Sequence, residues 1–420
     1  MADDTVACID IGSSKICTII ARVAEGRIDD ILGVGEVASR GVRKGLIVSI
    51  GDAADAIRES HEAAESRAGL TGVRPRVGFS GSYIRCSNPI VTVDTDRSKQ
   101  LVTESVMKAA DNEMEGYPFP EDPAKQVKVN TVPRQYRIGR VHVTKNPLKM
   151  RAYSLDYEAH IVAAGKTYMD NLLDCVKEAG VTATLGDFVA NPLASGLAVL
   201  EPEDMDRGVI LADIGGGTTG IAVYREGSIW HTAALAVGGT QITNDLAQGL
   251  GIPLSEAEEL KKGGGGLYPE RVDASRMEVI EKYKTTPEEL TYMIRARVEE
   301  ILRMILSRPP EVGQLPKFLV LTGGTAKLPG MKQFVEDELG LQARIGVPRN
   351  LPEGADDLAD PAYAAAVGLL VWRERTGPFG GGDASEGGGL EMLTSRLDRL
   401  WQGIRSRTSG VIRGRPTAES

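Results

Sequence analysis

Short apolar runs ending in small or polar residues recur along this chain and read as buried strands closed by tight turns. Val6–Ile11, Ile16–Ile20, Val209–Ile214 and Phe318–Leu321 are of this kind. Alanines and charges recur at helical spacing over residues 52–68, 168–179 and 288–306. The alternation predicts a mixed α/β fold. Between Val77 and Ala163 the texture changes to short β-rich pieces: Val77–Ser80, Tyr136–Ile138 and His160–Ala163. Polar and proline-bearing stretches such as 116–123 separate them, which predicts an inserted domain. Gly263–Gly266 reads as a loop or a strand-end turn. Residues 377–389 hold seven glycines in thirteen positions and no helical period. They read as a flexible linker that isolates whatever follows.

Two of the strand stretches repeat one another. Val6–Ile11 runs into Gly12-Ser13-Ser14-Lys15 and a second apolar run, and Val209–Ile214 runs into Gly215-Gly216-Gly217-Thr218-Thr219 and another. Each is a strand carrying an aspartate (Asp10, Asp213), a small-residue turn and a returning strand. Such a turn lets backbone N–H groups form an anion-binding concavity, to which hydroxyls add donors. A strand-end aspartate can hold a phosphate-bound magnesium, usually through water. One such hairpin is as often an ordinary turn. Two, about two hundred residues apart, predict two lobes closing on a polyphosphate. The Walker pattern is absent, as is the dinucleotide Gly-x-Gly-x-x-Gly after a strand and before a helix. A third piece, Phe318–Thr322 followed by Gly323-Gly324, is a strand ending in a glycine pair against which a flat base could lie. Its bland alternative is a plain strand–turn–helix.

Bulk properties narrow the picture. At 420 residues the chain exceeds one compact core, and about two to four domains are expected. A net charge of -9 argues against nucleic acid as the body's main partner. No apolar run approaches the ~20 residues of a membrane-spanning helix. The acidic start, Met1-Ala2-Asp3-Asp4, predicts no signal peptide. Cys8, Cys17, Cys86 and Cys175 are scattered and read as thiols in a reducing cytosol.

The tail departs from this acidic body. On a helix at about 100° per residue, Leu390, Leu393, Leu397, Leu400, Trp401 and Ile404 share an arc of about 100°, with Arg396, Arg399, Arg405 and Arg407 around it. Residues 390–420 hold six arginines against Glu391, Asp398 and Glu419, so the tail is +3 and the rest -12. A basic amphipathic helix beyond a loose tether reads as a membrane-surface element for anionic lipid. The alternative is a helix docked on the chain's own core or on a partner.

Paired phosphate hairpins with an adenosine-type glycine turn resemble the superfamily of actin, sugar kinases and heat-shock chaperones. Finer motifs resemble FtsA, a bacterial division family. They are Gly41-Val42-Arg43-Lys44-Gly45, Ser80-Gly81-Ser82-Tyr83-Ile84, Lys145-Asn146-Pro147-Leu148-Lys149-Met150, His231-Thr232 with Val237-Gly238-Gly239 and Asn244-Asp245-Leu246-Ala247, and Pro361–Leu370. The resemblance covers about residues 5–372 and resumes in the tail. Two positions depart from the family pattern. Lys149 stands where glycine is usual, and Gly220 follows the paired threonines where aspartate is usual.

The resemblance implies an actin-like (ribonuclease H-like) two-lobed ATPase fold. Its first lobe would be 1–81, completed by 164–197 and 345–376. An α+β insert would span 82–163, and the second lobe 198–344 with a smaller subdomain at about 245–307. The linker 377–389 and the amphipathic helix 390–407 would follow. It implies ATP and magnesium as ligands. Asp10, Gly12, Ser13 and Lys15 would line the first phosphate loop, and Asp213, Gly215, Gly216, Gly217, Thr218 and Thr219 the second. Thr322, Gly323 and Gly324 would flank the adenosine, and Asp10 and Asp213 would face the metal. Glu258 and Lys261 match an E-x-x-K helix that touches ribose and base, or else a solvated helix face. No residue is marked as a base that activates water, so at most a slow ATPase is expected. The implied role is a self-assembling protein on the cytoplasmic membrane that anchors FtsZ through its C-terminal peptide. Arg297 would meet a peptide carboxylate, or pair with Glu300 or another neighbour. The segment from Lys261 to Thr291 is short for the family and its β-hairpin poorly marked. Rival readings are a PilM-like pilus-platform homologue and a phosphotransferase or chaperone ATPase.

Overall fold

The computed structural model describes residues 4–24, 26–95, 100–119, 125–139, 142–272, 274–307 and 315–373. The tail residues Leu393, Arg396, Leu397, Arg399, Leu400, Trp401, Ile404 and Arg405 lie outside the described residues.

The chain opens with an antiparallel meander, β1 (Asp4–Ile11), β2 (Lys15–Ala24) and β3 (Arg27–Ala38). A short ribbon, β4 (Val42–Arg43) and β5 (Leu46–Ile47), leads into α1 (Ile50–Ala68). The ends of α1 are written in its sequence. Ser49 accepts a bond from the Asp52 amide, and Gly69 closes the helix at φ 65°. β6 (Pro75–Phe79) then lies parallel beside β1.

A separate antiparallel sheet follows, built from β7 (Ile84–Ser87), β8 (Ile90–Asp94), α2 (Glu104–Gly116), β9 (Gln126–Ile138), β10 (His142–Thr144) and β11 (Ser154–Gly165). Its order is β10-β9-β11-β7, with β8 also pairing β11. Met107, Ala110 and Met114 of α2 share its core with Leu155 and Tyr157. Pro133, which donates no ladder bond, sits where the β9–β11 register slips. Lys149 lies in this region at φ 66°, a left-handed conformation that explains why glycine is usual there.

α3 (Lys166–Glu178), β12 (Phe188–Ala190), α4 (Asn191–Val199) and α5 (Pro202–Arg207) return the chain to the first sheet, whose order is β12-β6-β1-β2-β3. The second half repeats the plan. β13 (Val209–Ile214), β14 (Thr219–Arg225) and β15 (Ser228–Leu235) form a second antiparallel meander. Four helices come next: α6 (Gly239–Leu250), α7 (Leu254–Gly263), α8 (Ala274–Lys282) and α9 (Pro287–Ser307). β16 (Phe318–Thr322) lies parallel beside β13; α10 (Met331–Leu339) leads to β17 (Gln342–Ile345), parallel beside β16. α11 (Ala364–Val371) packs back on α4. Each lobe is thus a meander whose first strand is extended, on the side away from its hairpin partner, by two further parallel strands. The duplication seen in the two hairpins extends to whole sheets, and the fold is actin-like. The central strands are buried on both faces, which is why they read as continuous apolar runs.

Of the two readings of Gly263–Gly266 the loop holds: Gly263 ends α7 and the Gly264 and Gly265 amides bond the Leu260 carbonyl as the chain leaves the helix. Between Lys261 and Thr291 the described residues hold a 3-10 turn, Pro269–Arg271, and α8, with no hairpin.

The inserted sheet lies against β15 of the second lobe. Asn88 donates to the Trp230 carbonyl at 2.9 Å, and His160 Nε2 meets Thr232 Oγ1 at 2.9 Å. Arg134 stacks 4.0 Å from the Trp230 ring centre while paired with Glu158. Burial pushes the His160 imidazole down to about 3. Cys8, Cys17 and Cys175 are buried free thiols, and Cys86 is half-buried.

Candidate functional site

The two hairpins are built alike. The Gly12 amide donates to the Lys15 carbonyl at 3.1 Å, and the Gly215 amide to the Thr218 carbonyl at 2.9 Å. In the ladders Asp10 stands opposite Cys17 and beside Gly78, and Asp213 opposite Gly220 and beside Thr322. The strands therefore bring both carboxylates to one cleft of about 860 Å³. Asp10, Gly12, Ser13, Lys15, Asp213, Gly215, Gly216, Thr218, Glu258, Lys261, Gly323 and Gly324 all line it.

Three expected residues do not line it. Thr219 is buried and donates to the Val237 carbonyl at 2.8 Å. Thr322 is buried and donates to the Gly346 carbonyl at 2.8 Å. Gly217 is buried against the first lobe, where a Cβ would fall 2.6 Å from the Ser13 side chain. The same close approach governs Gly216, whose Cβ would stand 1.9 Å from Ser14 Oγ. The glycines of the second turn make room for the first turn's serines.

One helix serves both aspartates. Asn191, at the start of α4, donates to Asp10 Oδ1 at 2.8 Å, and Ser195, one turn later, to Asp213 Oδ2 at 2.5 Å. Neither was singled out from the sequence. The signal was there: a polar pair four residues apart on an otherwise apolar helix, N-P-L-A-S-G-L-A-V. Gly220 belongs to the same arrangement. A Cβ there would come 2.8 Å from Pro192 Cγ, so an aspartate at 220 would push α4 away.

Burial raises the Asp10 carboxyl, against the Asn191 bond and the charge of Lys15. Burial takes Asp213 up to about 6, against the Ser195 bond and with help from Asp10. A buried and a half-buried carboxylate, Asp10 and Asp213, in one polar cleft suit a divalent cation, which would favour their ionised forms. Among the described residues no group of three or more His, Cys, Asp or Glu could hold a metal, so these two would need a ligand's oxygens and water to complete a shell. Asn191 Oδ1 and Ser80 Oγ, buried and without a protein partner, add polar atoms to the wall.

At the other end, Lys261 bonds Glu258 at 2.6 Å, Thr243 Oγ1 at 2.8 Å and the Gly239 carbonyl at 3.2 Å. Burial lowers the Lys261 ammonium despite Glu258. Burial raises Glu258, but its bonds from Lys261 and Thr243 leave it below the usual range. This is a cleft wall and not a solvated helix face. Gly323 takes φ 82° because the Asp213 carboxylate and the Ile214 carbonyl lie where a Cβ would go. Lys15 bonds Glu36 at 2.8 Å and sits 3.4 Å over the Tyr363 ring. Glu36 and Tyr363 were also missed. Arg297 lies away from the cleft on α9. Its guanidinium forks onto Asp245 at 2.6 and 2.9 Å and also pairs with Glu300, which is the intramolecular alternative.

Comparisons with known proteins agree with this architecture. The family model described as Cell division protein FtsA matches residues 210–368. Cell division protein FtsA of Bacillus subtilis (strain 168) is 34% identical, over 86% of this chain and 82% of that protein. The chain belongs to the FtsA family. The Borreliella burgdorferi FtsA is 30% identical over 90% of this chain and 93% of its own length. Among solved structures, a chain of the PilM-PilN type IV pilus biogenesis complex is similar, with a TM-score of 0.55 and 19% identity. It covers 88% of this FtsA-family chain and 98% of that chain, a likeness of fold.

Proposed function

We propose that this FtsA-family chain acts in cell division as an ATP- and magnesium-binding protein that self-assembles on the cytoplasmic membrane and anchors FtsZ. The observation that carries the nucleotide reading is the pair of aspartates, Asp10 and Asp213, presented by facing glycine-turn hairpins in one cleft. The turn amides of Ser13, Ser14 and Gly216 would hold phosphate oxygens, with Ser13 and Thr218 adding hydroxyls. Asp10 and Asp213 would hold a hydrated magnesium, which neutralises phosphate charge when bound. Glu258 and Lys261 would face the ribose, and Gly323 and Gly324 the adenosine. A ligand touching both hairpins joins the two lobes, so occupancy would set their closure.

The membrane reading rests on the sequence of residues 390–407. Among the described residues no helix is long and apolar enough to cross a membrane. A fully buried Leu-sized side chain contributes ~1.5–3 kcal/mol. Ordering the helix costs ~1–2 kcal/mol of backbone entropy per residue. One helix therefore binds marginally, and many on an assembly bind by avidity. The FtsZ reading rests on the family. Arg297 would take part by exchanging Asp245 for a peptide carboxylate.

Sedimentation with anionic liposomes and magnesium ATP tests the membrane and nucleotide parts together. Wild type should pellet with vesicles. Truncation after Pro378, or Trp401→Glu, should leave the protein in the supernatant with ATP affinity unchanged. A truncated chain that still pellets with vesicles would place the anchor elsewhere.

A further inference from the structure

Lys15 stands between two carboxylates. It opens β2, directly after the first turn. In the ladders Asp10, Cys17 and Glu36 lie side by side across β1, β2 and β3, so all three share one face of the sheet. Lys15, two residues from Cys17, is on that face too, diagonal to Asp10 on one side and to Glu36 on the other. Its ammonium is on the Glu36 side. It donates to Glu36 Oε2 at 2.8 Å and sits 3.4 Å over the Tyr363 ring. The Tyr363 hydroxyl donates to the same Glu36 oxygen at 2.8 Å. Tyr363 is itself placed by the cleft, because the carbonyl of Pro361 in its 3-10 turn accepts from the Gly323 amide at 3.0 Å. Lys15, Glu36 and Tyr363 all line the cleft beside Gly12, Ser13 and Ser14.

Glu36 belongs to neither phosphate turn, and the reading above gives it no part. Burial raises its carboxyl, but the bonds from Lys15 and Tyr363 leave it below the usual range, so it is an anion at neutral pH. An ionised carboxylate on an ammonium does what a phosphate oxygen would do in its place. A lysine is a point charge on a flexible four-carbon stem, so it can turn from one anion to another without moving the backbone. One ammonium between two anions must divide itself between them.

We propose that Glu36 competes with the nucleotide's phosphates for the Lys15 ammonium, which makes Glu36 a residue that sets affinity for phosphate ligands. The inference rests on the ATP-binding reading above. A phosphate chain engages Lys15 only by drawing it off Glu36, so phosphate ligands bind more weakly than they would without that carboxylate. Adenosine, which has no phosphate, is indifferent to it.

Calorimetry on the full chain with magnesium tests it, using ATP, inorganic tripolyphosphate and adenosine against wild type, Glu36→Gln, Lys15→Met and the double variant. Glutamine removes the charge and keeps an oxygen to accept from Tyr363. Glu36→Gln should bind ATP and tripolyphosphate about two- to fivefold more tightly, the range for a partly exposed ion pair, with adenosine unchanged. Lys15→Met should weaken both phosphate ligands, and adding Glu36→Gln to it should change nothing more, because the competition acts through the lysine. Weaker binding by Glu36→Gln would mean that Glu36 presents Lys15 to the ligand, and would overturn the proposal. A gain that persists beside Lys15→Met would mean direct repulsion of phosphate by Glu36, and would overturn it too. A second readout is acylation of Lys15 by an amine-reactive reagent, followed by peptide mass spectrometry. Labelling should rise in Glu36→Gln and fall with magnesium ATP in both proteins; a Lys15 that ATP leaves unprotected also overturns the proposal. A wild type that binds neither ATP nor tripolyphosphate would sink the ATP reading and this inference together. A wild type that binds ATP no differently from Glu36→Gln would sink this inference alone.

Discussion

Asp10 and Asp213 occupy the same place in two copies of one sheet, yet their turns are lined in opposite ways. The first turn is Gly12-Ser13-Ser14-Lys15, with hydroxyls and a cation. The second is Gly215-Gly216-Gly217-Thr218, nearly bare backbone. The lesson is steric. Ser13 and Ser14 fill the space where side chains at 217 and 216 would be, so only one of two abutting turns can carry them. The Ser13 hydroxyl also accepts from the Gly45 amide at 3.1 Å, which ties the first turn to the loop between β4 and β5. The second turn is supported from behind by backbone. The amides of Gly239 and Thr240, at the start of α6, donate to the carbonyls of Gly215 and Gly216 at 2.9 and 2.8 Å. Symmetry of strands thus coexists with a division of labour: side chains on one lobe, helix-backed main chain on the other.

The largest test asks whether the two aspartates are equal partners. Asp213→Ala and Asp10→Ala each remove one carboxylate from the cleft's pair. Each should weaken magnesium ATP by about a hundredfold or more, ~2.7 kcal/mol, by calorimetry. If only one variant loses affinity, the symmetric clamp is wrong and a single lobe holds the cation.

A smaller effect is expected at the turn contact. Gly216→Val should drive the hairpins apart at Ser14 and weaken ATP by about tenfold, ~1.4 kcal/mol. Ser14→Gly in the same chain should restore part of that loss, because the collision is with the Ser14 side chain. A double-mutant cycle reads the coupling. Additive losses would mean that the glycine serves the ligand and not the neighbouring turn.

Much of this site was legible in the sequence, for a definite reason. A hairpin that bares its backbone needs glycine, and a strand buried on both faces needs an unbroken apolar run, so both leave local marks. The residues that were missed act across long sequence distances. Asn191 meets Asp10 from 181 positions away, and Tyr363 meets Glu36 from 327. No local pattern encodes such a pairing. Thr219 and Thr322 were assigned to the cleft because they lie in the right motif. Thr219 stands opposite Ile214, one position along from Asp213, so it faces the other side of the strand. The hydroxyls of both are spent on buried carbonyls. Gly220 departs from the family pattern, and its reason, Pro192, again lies on another element.

The smallest effect concerns how α4 tunes the two carboxylates. Burial holds Asp213 at about 6, above the ordinary 3.8, while the Ser195 hydroxyl pulls the other way. Between these values the folded protein keeps a proton that the unfolded chain has released. This group therefore contributes stability as pH falls from about 6 toward 3.8, and loses it as pH rises through 6. Cation binding has the reverse sign, since it needs the ionised form. Affinity for magnesium ATP should be flat above about pH 6 and fall below it. Ser195→Ala deletes the bond that favours ionisation, so the fall should begin at higher pH. At pH 6 the variant should bind about threefold more weakly than wild type, ~0.6 kcal/mol, the low end for one hydrogen bond. At pH 8 the two should agree. The nucleotide's own protonation is common to both proteins and cancels in the ratio. A ratio that stays constant from pH 8 to pH 5.5 would mean that Ser195 shapes the helix without tuning Asp213, and the difference between the two lobes would then lie in their turns alone.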